Sequence, residues 1–169
     1  MPSLNFTRSF RAQFKATYGF NDNNSEFFPD RDYQLEYYEL KPELMYMYKT
    51  SFRASLSYKY KDSRNLINNL ETAISNDISV ELKYFGSKKA KTNIRTTFSW
   101  VNLNFEGTNN TPVQFTMTEG LQNGQNFLWT LNIDRSISKN IQLNIGYEGR
   151  KTGDAKVVHV ARAQIRAVF

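Results

Sequence analysis

The chain has 169 residues, of which 40% are apolar and 15% aromatic, with a net charge of +6 and no cysteine. The lack of cysteine excludes disulfides, thiolate metal sites and cysteine nucleophiles. The 22 basic residues are interspersed with 16 acidic ones, so no nucleic-acid-binding surface is predicted. No apolar run approaches the roughly 20 residues of a membrane helix.

The first predicted strand covers residues 4–20. Its even positions are apolar except Arg8, and most of its odd positions are polar. A period of two over this length indicates one strand with an apolar and a polar face. The strand exceeds the roughly 9–11 residues that cross a bilayer. A polar connection follows over residues 21–32.

The same alternation predicts a second strand over residues 38–48 and a third over residues 52–60, joined by a tight turn at residues 49–50. Proline has no N–H for the strand ladder, so Pro42 predicts a bulge or locally weak pairing. The polar residues 61–69 are interpreted as a loop.

A fourth strand is predicted over residues 70–84, followed by a short turn at residues 86–89. The spacing of Leu66, Leu70 and Ile74 also suits a short helix. We favour the strand because alternation continues to the end of the segment.

The fifth predicted strand, residues 94–105, changes phase after Trp100, where the odd position Val101 becomes apolar. A one-residue change of phase is typical of a β-bulge. Residues 106–126 show no pattern and form the longest connection, and residues 127–133 form a sixth strand.

The last hairpins are short. A turn at residues 136–139 leads to a seventh strand over residues 141–147. A glycine-containing loop at residues 148–154 leads to an eighth strand, which alternates from residue 157 to residue 169.

About eight strands are therefore joined as successive hairpins. The connections after the first, third and fifth strands are long and polar, and those after the second, fourth and sixth are short. Outer-membrane barrels have short periplasmic turns and longer external loops. The predicted fold class is all-β, an antiparallel up-and-down transmembrane β-barrel of about eight strands or the last strands of a larger barrel. Residues 1–169 form one domain, with both ends of the chain on the periplasmic side.

Aromatic residues provide a second indication. Tyrosine and tryptophan favour membrane interfaces because the ring is apolar and its tip polar. In this topology one group lies near the outer ends of the strands: Tyr18, Phe20, Tyr38, Tyr58, Tyr60 and Tyr147. A second group lies near the inner ends: Phe6, Tyr46, Tyr48, Phe52, Tyr84 and Phe169.

The polar positions of the strands carry both signs of charge and are predicted to face the lumen. A closed eight-stranded barrel would fill with these side chains as compensated ion pairs, whereas a larger barrel would present them to a wet lumen. The principal candidates are Arg11, Lys15, Glu39, Lys41, Arg53, Lys59, Glu81, Arg95, Arg162 and Arg166. Further members are Glu43, Glu71, Asp77, Lys83, Asp134 and Glu148.

The C-terminal strand resembles the assembly signal of outer-membrane barrels, an amphipathic last strand that ends in an aromatic residue. Ala161, Ala163, Ile165 and Ala167 occupy its alternate positions and Phe169 is the terminal aromatic. An aromatic residue is more usual at the place of Ala167. This resemblance implies recognition by the barrel assembly machinery.

A second resemblance covers roughly the last third of the chain. The segments 120–129 and 147–151, with the final strand, resemble the C-terminal ends of large outer-membrane proteins of the Bacteroidota. The resemblance implies a location in the bacterial outer membrane, and it allows that these strands close a much larger barrel. No signal peptide follows Met1, so we expect a processed or truncated chain.

The sequence offers little for catalysis. The single histidine, His159, is predicted on the outward face, with no serine or carboxylate placed to pair with it. No enzyme activity, cofactor or metal is therefore expected. The acidic residues of the first connection lack a calcium-binding spacing and are interpreted as a solvated loop: Asp22, Glu26, Asp30 and Asp32. Three loop cations are candidates for lipopolysaccharide phosphates: Arg64, Arg150 and Lys151.

The predicted function is an integral outer-membrane barrel with a structural or scaffold role, as a subunit of an outer-membrane assembly. Its expected partners are membrane lipid, lipopolysaccharide, the assembly machinery and other outer-membrane subunits. A transport barrel with a charged lumen is an alternative, and a soluble lipocalin-like binding barrel is a second. All membrane interpretations require Phe14, Leu56 and Ile165 to face hydrocarbon rather than a water-soluble core.

Overall fold

The computed structural model describes residues 3–5, 9–24, 32–67, 71–86 and 91–167. They form one antiparallel sheet whose strand order follows the sequence. The strands are β1 (Ser3–Asn5), β2 (Phe10–Asn23), β3 (Tyr33–Tyr48), β4 (Phe52–Asn65), β5 (Thr72–Phe85), β6 (Thr92–Glu106), β7 (Gly124–Ser136), β8 (Ile141–Thr152) and β9 (Val158–Ala167). The helix α1 (Pro112–Thr118) lies between β6 and β7.

The predicted all-β, up-and-down architecture of about eight strands is confirmed by β2–β9. Every pair of neighbours is antiparallel and consecutive in sequence. Within the described residues β9 pairs only with β8, and β1 only with β2, so the sheet is not closed.

The first predicted strand is divided in two, which corrects the single strand over residues 4–20. β1 folds back on β2 as a hairpin, with Leu4 opposite Ala12 and Ser3 opposite Gln13. This hairpin places even residues opposite even ones. A period of two that is broken only at Arg8 therefore cannot distinguish it from one long strand.

Several strands are longer than the sequence predicts. The predicted loop at residues 61–69 is wrong in its first half, because β4 continues to Asn65. The predicted loop at residues 148–154 is also too long, since β8 continues to Thr152. Polar residues beyond the apolar alternation still pair with neighbouring strands, and alternation of hydrophobicity does not detect such pairing. The helical alternative fails at Ile74, which lies within β5.

Pro42 interrupts the pairing of β3 with β4 without changing its register. The cross-strand pairs Leu40 with Tyr60 and Glu43 with Ser57 keep one register, while residues 41–42 are skipped. The predicted weak pairing is therefore confirmed, and the bulge offered as its alternative is wrong.

The bulge predicted in β6 is also wrong. β6 pairs in unbroken register with β5 over residues 93–106 and with β7 over residues 92–103. Val101, Leu103 and Phe105 therefore remain on the face opposite Phe98, and they are at most 6% exposed. The hydrophobic pattern changes phase because the segment that contains Val113 and Met117 covers the end of β6 on this face.

The covering segment contains α1, which lies in the connection expected to have no pattern. Thr111 caps its start, accepting a hydrogen bond from the Gln114 amide at 3.1 Å, and Pro112 follows. Both are usual helix-start signals. Glu119 ends the helix in the left-handed conformation, with φ 55°. Val113 and Met117 of α1 form a small core with Leu35, Ala73 and Phe105 of the sheet.

Candidate functional site: two opposed faces of the sheet

The sheet has two chemically different faces. We call the face that contacts α1 the helix-bearing face and the other the apolar face. Phe14, Leu56 and Ile165 lie on the apolar face and are 43%, 48% and 69% exposed. Large apolar side chains are exposed on every long strand except β7: Phe10, Tyr18, Phe20, Tyr38, Leu40, Leu44, Tyr48, Tyr58, Ile74, Ile78, Val80, Leu82, Tyr84, Phe98 and Ile141 are further members.

Tyrosines at one edge of the apolar face direct their hydroxyls to polar groups further along the strands. The Tyr18 hydroxyl donates to Glu36 Oε1 at 2.7 Å, and the Tyr58 hydroxyl donates to Asn76 Oδ1 at 2.6 Å. The Tyr18 and Tyr38 rings contact each other at 4.8 Å between centroids. Apolar rings with hydrogen-bonded polar tips thus mark one boundary of the apolar face.

The charged candidates share the helix-bearing face. Cross-strand registers place all ten principal residues there: Arg11, Lys15, Glu39, Lys41, Arg53, Lys59, Glu81, Arg95, Arg162 and Arg166. Ion pairs connect Lys15 with Glu39 at 3.7 Å, Arg95 with Glu81 at 3.6 Å, and Arg162 with Glu148. These three pairs join opposite charges on adjacent strands, whereas Lys15 lies opposite Lys41 and the buried Arg53 Nε has no hydrogen-bond partner among the described residues.

The end of α1 is attached to this charged face. The Lys61 Nζ donates to Glu119 Oε1 at 2.8 Å, and Lys59 Nζ lies 3.8 Å from Glu119 Oε2. Lys59 also lies 3.9 Å from Asp77 Oδ2, and Lys61 lies over the Tyr37 ring at 5.6 Å. The carboxylate of Glu119, the C-cap residue of α1, is thus held by Lys59 and Lys61 of β4.

The surroundings of Glu119 act on its protonation in opposite directions. Partial burial raises the pKa of the Glu119 carboxyl, but the hydrogen bond from Lys61 and the charges of Lys59 and Lys61 lower it. The net pKa lies below the usual range of a glutamate. The carboxylate form is therefore favoured, and the contact holds α1 to the sheet.

A cavity of about 200 Å³ lies between α1 and the sheet. Lys59, Asp77 and Glu119 line one part of it, and Leu103 and Met117 line another. Ser99 also lines it and lies 2.7 Å from the Ser79 hydroxyl, which donates to Asp77 Oδ1 at 2.6 Å.

Buried polar groups tie the β4–β5 connection to β3. The Asn65 side chain donates to Glu71 Oε2 at 2.8 Å and accepts from the Gln34 amide at 3.3 Å. Asn65 is 1% exposed and Glu71 is 4% exposed. Each side chain has a partner, which is the usual state of buried polar groups.

His159 lies on the apolar face, as predicted, beside aromatic residues of the neighbouring strands. Its Nδ1 is 2.9 Å from the Tyr147 hydroxyl, and the two rings are stacked at 6.0 Å. The Trp129 ring is 5.8 Å away. These contacts place the imidazole among aromatic side chains of the apolar face.

The candidate lipopolysaccharide-binding cations and the acidic residues of the first connection do not form one site. The structure places Arg64 in β4 and Arg150 and Lys151 in β8, which corrects their predicted position in loops. Arg64 and Lys151 lie at the polar edge of the apolar face, and Arg150 lies on the opposite face. Within the described residues no group of acidic or histidine side chains is arranged to hold a metal ion. Asp22 and Asp32 are described, while Glu26 and Asp30 lie outside the described residues.

The predicted assembly signal is partly visible. Ala161, Ala163, Ile165 and Ala167 follow one another on the apolar face of β9, opposite Tyr147, Ile145, Leu143 and Ile141 of β8. Phe169 lies outside the described residues.

Sequence reasoning missed α1 and its attachment. Val113, Met117 and Glu119 were not candidates, because seven helical residues provide no usable period. The Thr111–Pro112 start was the available signal.

Over the described part of the chain, no helix has the length and apolarity to span a bilayer. No protein-family model, curated protein or solved structure matches this chain.

Proposed function

We propose that this chain forms the wall of an integral barrel in a bacterial outer membrane, with a structural role as a scaffold or subunit of an outer-membrane assembly. One observation carries the proposal. Most exposed apolar side chains of the strands lie on one face of the sheet, and most of the strand charges and α1 lie on the other. In a membrane the first face contacts hydrocarbon and the second is enclosed.

The size of the apolar face fits a bilayer. On β2 it extends from Phe10 to Phe20, and on β3 from Tyr38 to Tyr48. Ten steps of about 3.3 Å give about 33 Å along a strand. A tilt of about 40° reduces this to about 25 Å, which is the usual height of the apolar band in outer-membrane barrels.

The soluble binding barrel requires the opposite arrangement. A lipocalin-like barrel encloses its apolar side chains and presents polar ones to water. Here α1 covers the charged face, and Phe14 and Leu56 remain exposed. Monomeric soluble proteins rarely expose contiguous apolar patches above a few hundred Å². The arrangement therefore favours the membrane barrel.

The enclosed face favours a scaffold over an open channel. α1 buries Val113 and Met117 against it, and ion pairs connect its strands. A helix and paired side chains held on this face leave less room for ions to pass. We propose that Arg64 and Lys151, at the polar edge beyond the tyrosines, bind lipopolysaccharide phosphates.

Membrane fractionation tests the location. We expect the native protein in the outer-membrane fraction, resistant to carbonate extraction and soluble only in detergent. Recovery in the soluble fraction without detergent would overturn the proposal. Planar-bilayer recording of the purified protein separates the two membrane functions, because discrete ion steps would favour transport and their absence the scaffold.

A further inference from the structure

We propose that the helix-bearing face carries a binding site for a phosphate monoester of a small hydroxylated molecule, centred on Lys83 and Arg95. These residues lie opposite each other on β5 and β6, at the end of the sheet away from the contacts of α1 with Ala73 and Phe105. The site goes beyond the structural role proposed for the chain and does not depend on its location in a membrane.

Three cations follow one another across neighbouring strands of this face. Arg53 of β4 lies opposite Lys83 of β5, and Lys83 lies opposite Arg95 of β6. Neighbouring strands are about 4.8 Å apart, so the row spans about 10 Å. Like charges directly opposite each other on a sheet are destabilising. The row therefore requires compensation by negative charge.

One carboxylate provides only part of that compensation. Glu81 Oε1 lies 2.6 Å from Lys83 Nζ, and Glu81 Oε2 lies 3.6 Å from Arg95 Nε. The Nε of Arg53 is buried and has no hydrogen-bond partner among the described residues. Three cations and one carboxylate leave this group with a net charge of +2. Because uncompensated buried charge is costly, a bound dianion would stabilise the row.

A cavity of about 420 Å³ opens beside the row. Lys83 and Arg95 line it together with the amide side chains of Asn93, Asn132 and Asn144. Small-molecule sites usually have volumes of about 300–1,000 Å³ and a few convergent polar groups. The cavity thus combines two cations with three amides in a space that suits a small ligand.

A neighbouring cavity of about 480 Å³ extends the positive lining. It shares Asn93, Asp134 and Asn144 with the first cavity and adds the cations Lys91 and Arg166. The Asp134 carboxylate accepts a hydrogen bond from the Asn144 amide. Since cations outnumber this carboxylate along both cavities, their potential favours an anionic ligand.

The lining indicates the chemical class of the ligand. A phosphate monoester carries a charge of about −1.5 to −2 at pH 7 and three strong acceptor oxygens, which matches the charge of the row. Arginine binds phosphate through two parallel N–H groups, and lysine binds it as a point charge. Amide side chains donate and accept hydrogen bonds, so they suit the hydroxyl groups of the esterified molecule.

Isothermal titration calorimetry of the full-length protein, purified in detergent, tests the site with glucose 6-phosphate as the probe. We expect glucose 6-phosphate to bind, inorganic phosphate to bind more weakly and glucose to give no measurable binding. Arg95→Gln should weaken the binding of glucose 6-phosphate about tenfold or more, because a hydrogen bond to a charged group is lost. The Arg95 side chain is 59% exposed, so this replacement should leave the fold intact.

Lys41→Gln is the matched control for the loss of one positive charge. Lys41 also lies opposite a lysine of the same face, Lys15, but neither residue lines the two cavities. This variant should bind glucose 6-phosphate as the unmodified protein does. Asn132→Ala removes no charge and should weaken the binding of glucose 6-phosphate but not that of inorganic phosphate. It tests the amides independently of Arg95.

Several results would overturn the proposal. The site is refuted if glucose 6-phosphate does not bind, if glucose binds equally well, or if Arg95→Gln and Lys41→Gln lose affinity to the same extent. Inorganic phosphate that binds as tightly as the ester, or an Asn132→Ala variant without effect, would overturn the assignment of an ester. Dihexanoyl phosphatidic acid that binds more tightly than glucose 6-phosphate would overturn the soluble ligand in favour of a lipid headgroup.

Discussion

Replacing Met117 by alanine tests whether apolar contacts hold α1 on the sheet. Met117 is 4% exposed and packs in the cluster that includes Phe105. A buried methionine-to-alanine change costs about 2–5 kcal/mol. Since about 1.4 kcal/mol corresponds to a tenfold change in an equilibrium constant, the undocked form should become at least about 30 times more populated.

Hydrogen exchange of the protein in detergent micelles measures this change. We expect the amides of α1 and its C-terminal turn to exchange at least about 30-fold faster in Met117→Ala, while those of β5 keep their rates. Phe115→Ala is the matched control, because Phe115 lies on the same helix and is 70% exposed. The reasoning fails if both variants accelerate α1 equally, or if β5 accelerates together with α1.

The remaining predictions concern charge, close packing and the bilayer. The interactions that lower the pKa of the Glu119 carboxyl stabilise the docked α1. Their contribution is complete above the pKa of an unfolded glutamate, about 4.3. It is lost as the pH falls through the lower pKa of the folded state. Exchange of α1 should accelerate on acidification, and Glu119→Gln should remove that pH dependence; an unchanged dependence contradicts the contact. A Cβ added at Gly149 would overlap a neighbouring indole, whereas one at Gly146 meets its nearest atom at 3.5 Å. Gly149→Ala should therefore lower the free energy of unfolding, measured by urea denaturation, by about 1–3 kcal/mol. Gly146→Ala should lower it much less, and equal losses would contradict the packing. Leu56→Arg, on the apolar face, should cost about 2–4 kcal/mol in lipid vesicles, whereas Ser57→Arg on the other face should be tolerated; the reverse order would oppose the membrane assignment.

Alternation along the strands assigned most side chains to the correct face, although after Trp100 it wrongly predicted a bulge that would have moved Val101, Leu103 and Phe105 to the apolar face. Successive side chains of a strand point in opposite directions, so local sequence determines parity without knowledge of any partner. Lys15 and Arg162 therefore share the helix-bearing face, and Leu56 and Ile165 share the other, in agreement with the pattern. The number and order of the long strands followed from the same alternation.

Contacts between distant segments decided the rest. The reversal that separates β1 from β2 preserves parity, so only the pairing of Leu4 with Ala12 reveals it. The apolar Phe105 on a charged face is explained by α1, since Met117 covers it from a later segment. Sequence by itself thus determined which residues share a face in the long strands other than β6, because that depends on neighbouring peptides alone. Only tertiary structure determined what lies against each face, because burial depends on residues far away in the chain.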